Sequence, residues 1–312
     1  MVTRKGVAGF TILLALCVIV FGAYVRLTDA GLGCPDWPGC YGLLTVPETG
    51  DELSKAAELF PGQVVESGKA WREMIHRYIA SLLGFLILLM FLKDFFSYRN
   101  NTGSLKDLKL SAALLALVIF QGMLGMWTVT LKVHPLVVTG HLIGGLTTLS
   151  LLFFYYRNLE NSDEKFISAP KAMIAGLSIL TLQIILGGWT STNYASLACV
   201  DFPTCQGSYL PDMDFKQGFD FSQEVGPNYL YGLLDNSARV AIHYSHRISA
   251  IIVTIVFLIL ISKLWFSSAA PLASTIGILL LTQITLGIIN VVYVLPLYVA
   301  IAHNLVAACL LL

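Results

Sequence analysis

Long apolar stretches separated by polar ones set the first pattern of the chain. Eight of them read as helices able to cross a bilayer, at approximately 7–27, 72–92, 109–129, 138–157, 172–192, 243–262, 272–293 and 299 onward. Such a crossing takes about 20 residues for a ~30 Å hydrocarbon core. The last stretch stops at Leu312. Its helical rise of about 21 Å falls short of that core. The eighth helix therefore reads as tilted, short or cut off, and truncation is the favoured expectation. Two polar connections are long, 28–71 and 193–242.

The pattern is written twice. Gly22, Ala30, Leu32, Cys34, Asp36, Pro38, Cys40 and Gly42 recur 165 positions later as Gly187, Ala195, Leu197, Cys199, Asp201, Pro203, Cys205 and Gly207. His76-Arg77 recurs as His246-Arg247. Gln121, Leu124, Gly125 and His141 recur 162 positions on as Gln283, Leu286, Gly287 and His303. Self-similarity at this scale marks a duplicated structural unit. The expected fold is an all-α integral membrane protein whose eight transmembrane helices form two four-helix bundles, residues 1–157 and 158–312. Four spans per half is an even number. The halves should then lie parallel, with a pseudo-two-fold axis along the membrane normal.

Composition agrees with a membrane class. Hydrophobic residues make up 56% of the 312, and charged residues only 12%. A soluble domain carries roughly 25% charge. A net charge of zero excludes the basic field that a nucleic-acid partner requires. The first stretch follows Arg4 and Lys5 as a signal peptide would. No small-residue cleavage site follows it, however, and it belongs to the first repeat, so it reads as a span. The absence of a transit sequence before it points to a bacterial source.

Arg4, Lys5, Lys93, Arg99, Lys106, Lys109, Arg157, Lys165, Lys171 and Lys263 all fall on the side of the termini and short connections. That excess marks the side as cytoplasmic. The expected location is a bacterial inner (plasma) membrane, with both termini inside. The two long loops, acidic on balance, then lie outside, and all four repeated histidines fall at the outer ends of helices two, four, six and eight.

Cys34 and Cys40 bracket a short loop, and Cys199 and Cys205 bracket its copy. On an oxidising face each pair can form a disulfide. One reading makes them staples that close a tight turn over a bundle mouth. The other makes them a redox-active dithiol. No second ligand pair sits nearby at zinc spacing. Cys17 and Cys309 lie in apolar helices and read as packing residues.

His76, His141, His246 and His303 are the candidate chemical core. Ionisable residues in spans are expensive and default to a functional reading. Each half supplies one histidine from its second helix and one from its fourth. Two inward imidazoles on separate helices can grip the iron of a flat haem from both sides. Arg77 and Arg247 follow two of these histidines, and arginine pairs bidentately with carboxylates such as haem propionates. Ordinary anchoring at the membrane interface is the alternative for both arginines.

One position breaks the symmetry. Glu73 lies three residues before His76, whereas His243 lies three before His246. That spacing puts each on the helix face of its histidine. A carboxylate in a partly dry site can take or release protons, so the first site is expected to do chemistry and the second to store or relay electrons. Alternatively, Glu73 is a helix-start residue favoured by the dipole. His134, before Pro135, reads as a surface residue. The Q-x3-G motifs at Gln121, Gln183 and Gln283 read as helix packing.

The motifs E-x-x-H-R at Glu73 to Arg77, H-R at His246-Arg247, T-G-H at Thr139 to His141 and A-H-N at Ala302 to Asn304, with the doubled cysteine loop, resemble the haem A synthase family. The resemblance covers essentially the whole chain. It implies oxidation of the C8 methyl of haem o to a formyl group, giving haem A by successive hydroxylations with water-derived oxygen. It also implies haem o between His76 and His141, a permanent haem b between His246 and His303, an essential carboxylate at Glu73, and cysteines at Cys34 and Cys40 on which some members depend. The electron acceptor is left open. The haem o synthase is implied as a partner, and a homo-oligomer is compatible. Two rivals stand beside it. A dihaem b-type electron carrier accounts for four histidines but not for Glu73. A haem transporter or chaperone would tolerate Glu73→Gln.

Overall fold

A computed structural model describes residues 3–160, 171–267 and 269–312. Lys165, counted above among the cytoplasmic charges, lies outside the described residues. Ten α-helices are present among those described. They are α1 (Arg4–Leu27), α2 (Gly50–Leu59), α3 (Ser67–Arg99), α4 (Leu105–Thr130), α5 (Pro135–Glu160), α6 (Lys171–Thr192), α7 (Phe215–Gly218), α8 (Asn236–Trp265), α9 (Ala270–Val292) and α10 (Leu297–Leu311). Seven of them (α1, α3, α4, α5, α6, α8 and α9) are long and apolar enough to cross a membrane, and α10 is a shorter apolar helix. These helices fit a multi-pass membrane protein.

Capping residues set the start of two of the long helices. Thr3 caps α1 by accepting from Gly6 N at 3.0 Å. Ser104 caps α4 by accepting from Lys106 N at 3.1 Å. Both satisfy amides that a helix start leaves unpaired. The second span, expected over 72–92, runs instead over the 33 residues of α3. A polar residue ends an apolar run without ending a helix, because backbone bonds continue wherever φ and ψ allow. In the first long loop, α2 opens with a capping box between Thr49 and Glu52, an amphipathic surface helix that span-length reasoning passes over. The amides of Thr49 and Glu48 hold the Glu52 carboxyl below its usual range.

The chain divides into two compact units, Met1–Glu164 with Gly226–Leu230, and Lys165–Val225 with Tyr231–Leu312. In the first, α1 packs on α3 and α5, and α4 packs on α3 and α5. In the second, α8 packs on α6 and α9, while α10 packs on α9 and α6. Each unit is thus a closed ring of four helices.

The two ends of the first ring differ in chemistry. At the end away from the cysteine loop, Arg4 of α1 pairs with Asp94 of α3, and with Asp107 of α4 at 3.1 Å. Tyr155 Oη donates to Asp94 at 2.8 Å, and Asn158 Nδ2 to Asp107 at 2.7 Å. Asp94 and Tyr155 are both 2% exposed, so this network ties all four helices within the apolar bundle. Buried charges persist only when paired and hydrogen-bonded in this way.

At the other end, His134 is 5% exposed rather than a surface residue. Its ring meets Tyr229 edge-on at 5.0 Å, and Tyr229 N donates to Lys132 O at 3.1 Å. A piece of the second long loop covers His134, a contact invisible to local sequence because it joins residues far apart in the chain.

Candidate functional site

The two cysteine loops are the same object built twice. Cys34–Cys40 and Cys199–Cys205 are disulfide-bonded. In the first loop, Asp36 accepts from Tyr41 N at 2.6 Å and Gly42 N at 2.9 Å. In the second, Asp201 accepts from Gln206 N at 2.7 Å and Gly207 N at 3.0 Å. Gly42 and Gly207 both have φ of 75°, a left-handed conformation that only glycine takes without strain. Hydrogen bonds from the Thr204 hydroxyl and from the Gly207 and Gln206 amides hold the Asp201 carboxyl down to about 2.

Side chains of the second helix in each ring hold the loops. Glu73 of α3 is 4% exposed. One of its oxygens accepts from Cys34 N at 2.9 Å, and the other pairs with Arg77 Nη2 at 2.6 Å. Arg77 also donates to Asp36 O at 3.0 Å, to Pro38 O at 3.2 Å and to Gly39 O. In the second unit, Arg247 donates to Thr204 O at 2.8 Å and Cys199 O at 3.1 Å. His243, 5% exposed, sets Nδ1 3.0 Å from Ala195 O. The spacing of three and four residues puts Glu73, His76 and Arg77 on one turn of helix. One turn therefore carries the loop anchor, the carboxylate and the imidazole.

Below the first loop, His76 of α3 faces His141 of α5, with ring centroids 6.5 Å apart and planes at 77°. Phe21 of α1 stacks on His76 at 6.5 Å and 15°. A metal held by two imidazole nitrogens at about 2 Å needs ring centres roughly 6 Å apart, and this pair meets that spacing. Nδ1 of His76, His141 and His303 is buried without a hydrogen-bond partner among the described residues. A buried ring nitrogen left without a partner is uncommon in a folded protein and calls for an explanation.

The glutamines read as packing residues lie on the histidines. Gln121 Nε2 donates to His141 O at 2.9 Å. Gln183 Nε2 sits 3.2 Å from His246 Nδ1 and donates to His246 O at 3.2 Å. Gln283 Nε2 lies 3.1 Å from His303 Nε2. Each is four residues before a glycine, and two of these glycines align with glycines of the first half. That register was the signal available in the sequence. The position matching Gln183 in the first half is Val18.

The fold and these residues define a class first, a multi-pass helical membrane protein whose first bundle brings His76 against His141 below a disulfide loop and whose second carries His246 and His303 at the repeat-related positions. Residues 6–312 match the family described as cytochrome oxidase assembly protein (COX15-CtaA), and the chain belongs to that family. It is 45% identical to the haem A synthase of Shewanella oneidensis, over 97% of this chain and 92% of that protein. It is 25% identical to the haem A synthase of Parvibaculum lavamentivorans over 93% and 86% of the two chains. With the haem A synthase of Shouchella clausii it shares 27% identity over 82% and 74%.

Proposed function

We propose that the chain is a haem A synthase, an oxidoreductase that converts the C8 methyl of haem o to the formyl group of haem A. With oxygen from water, that change releases four electrons and four protons. The observation that carries the reading is the facing, half-buried His76–His141 pair with the Glu73 carboxylate on the same helical turn, in a chain so similar to a haem A synthase. Haem o is the substrate, held between His76 and His141 in the first four-helix half. Glu73 serves as the proton acceptor for water or the methyl group. Its bonds to Cys34 N and Arg77 point the carboxylate and join it to the cysteine loop.

In the second half, His246 and His303 hold a permanent haem b. A bound haem b supplies one-electron storage between the substrate and an external acceptor. Arg77 and Arg247 pair with propionates, Arg77 by releasing a loop carbonyl, since both its Nη groups serve Glu73 and the loop. Arg247 Nε is buried without a partner among the described residues. The eight-helix arrangement is two parallel repeats in a bacterial inner membrane, with both termini cytoplasmic and the haem sites near the outer face. Basic residues at the far ends of the helices support that orientation. Haem o arrives from the haem o synthase.

The test is acid extraction and chromatography of haems from protein purified after co-expression with a haem o source. Wild type should yield haem b together with haem o, a hydroxylated intermediate or haem A. Glu73→Gln should keep both haems and make no haem A. Normal haem A from Glu73→Gln removes the carboxylate from the mechanism. Haem b alone in wild type turns the reading to an electron carrier.

A further inference from the structure

Each of the four histidines lies against a glycine of a neighbouring helix. A Cβ placed on Gly22 of α1 would stand 2.9 Å from His76 Cε1, and one on Gly187 of α6 3.1 Å from His246 Cε1. One on Gly287 of α9 would stand 3.3 Å from His303 Cε1, and one on Gly125 of α4 3.5 Å from His141 Cε1. Carbon atoms in van der Waals contact sit about 3.5–4.0 Å apart. A methyl group at Gly22 therefore requires the imidazole to shift, at Gly187 and Gly287 it presses the ring back by a few tenths of an ångström, and at Gly125 it makes an ordinary contact. The atoms met at each of these four glycines all belong to the histidine. A glycine that served only close helix packing would meet backbone or apolar side chains instead, as Gly176 meets Leu260 and Phe257.

Glycine inside a helix is less stable than alanine by roughly 0.5–1 kcal/mol. Three such glycines, two of them (Gly22 and Gly187) repeat-related, point to a requirement at the imidazoles. We propose that Gly22, Gly187 and Gly287 are positioning residues for the histidine ligands. Their bare Cα fixes where each ring stands, and a methyl group there moves the imidazole off the iron. Ligation depends on rings held within a few tenths of an ångström, which is why outer residues that orient a ligand change metal affinity about 10- to 100-fold. The inference rests on the histidine-ligation reading given above.

The test replaces each glycine by alanine, with Gly122→Ala as control, since Gly122 shares α4 with Gly125 and faces open space. Haem per protein is measured after gel filtration in detergent, alongside the low-spin electron paramagnetic resonance signal. Gly187→Ala and Gly287→Ala should each lower retained haem b by about tenfold. Gly22→Ala should lower retained haem o and haem A to a similar degree and leave haem b in place. Gly125→Ala and Gly122→Ala should match wild type.

Alanine raises helix propensity, and helicity by circular dichroism separates ring displacement from misfolding. Because Gly187 and Gly287 lie on different helices, either variant tests the second site if the other fails to accumulate. Full haem b with an unchanged low-spin signal in Gly187→Ala or Gly287→Ala overturns the proposal and leaves the ligation reading standing. Wild type without haem b overturns both.

Discussion

The first unit and the second close the same ring of four helices, yet they treat their polar positions differently. Beneath each cysteine loop a side chain one turn before the histidine reaches up to the backbone. In the first unit it is Glu73, bonded to Cys34 N and Arg77. In the second it is His243, with Nδ1 against Ala195 O. At the opposite end, the first unit has the Arg4–Asp94–Asp107 network, whereas the repeat puts Leu264 and Ala269 where Asp94 and Asp107 stand. The shared features, loop, arginine, histidine and glycine, are those that set geometry. The features found in one unit only include the Glu73 carboxylate and the Arg4–Asp94–Asp107 network in the first and the Gln183 amide in the second. Duplication has kept the scaffold and altered the groups able to move protons or pin helices.

Breaking the asymmetry at its centre should have the largest effect. Glu73→Gln is expected to reduce haem A formation at least 100-fold, the scale of a lost acid–base group. His243→Gln, at the matching position, should leave product formation within a few-fold of wild type. The two variants, assayed side by side for haem A per haem o supplied, separate chemistry from support. Equal losses would mean that both residues merely hold their loops.

Next in size is the charged network. Asp94→Ala leaves the Tyr155 hydroxyl without its acceptor, while Arg4 keeps Asp107. A buried donor left unsatisfied costs about 1–3 kcal/mol. Thermal unfolding in detergent should show the destabilisation, with haem b retention in the second unit unaffected. An unchanged transition would show the network to be dispensable.

A smaller effect is expected from making the second unit resemble the first. Gln183→Val copies Val18 and removes the amide that contacts His246. A net hydrogen bond contributes about 1 kcal/mol, so haem b retention should fall about fivefold. A gain in retention would reverse the assigned role of this glutamine.

The smallest is a pH response of the second loop. Asp201 is held down to about 2 by Thr204, Gly207 and Gln206, against an ordinary value near 3.9. A depressed carboxylate contributes fully above its unfolded value and loses that contribution as pH falls through the folded one. Amide exchange at Gln206 and Gly207, corrected for intrinsic rate, should therefore show constant protection from pH 7 to about 4 and lose it only towards 2. Loss of protection between 6 and 5 would contradict the hydrogen-bond pattern.

Much of this was legible in the residues. The apolar runs located the helices, since a membrane crossing demands about 20 apolar residues whatever the neighbours. Repeat spacing paired His76 with His246 and Cys34 with Cys199. Other features escaped for physical reasons. The length of α3 depends on backbone bonding past the apolar run. His134 is buried by Tyr229, nearly a hundred positions away. Gln183 and Gly187 looked like packing because an amide and a bare Cα carry no sign of which side chain will lie against them.

The sequence by itself determined the class, the doubling and which side chains are candidates for the chemistry, because hydrophobic length, repetition and side-chain chemistry are local properties of the chain. Only the tertiary structure decided what those groups touch. Glu73 binds the Cys34 amide, Arg77 grips loop carbonyls, and His76 stands against Gly22. Such contacts depend on distances of a few tenths of an ångström between helices remote in sequence, and only the packed bundle sets them.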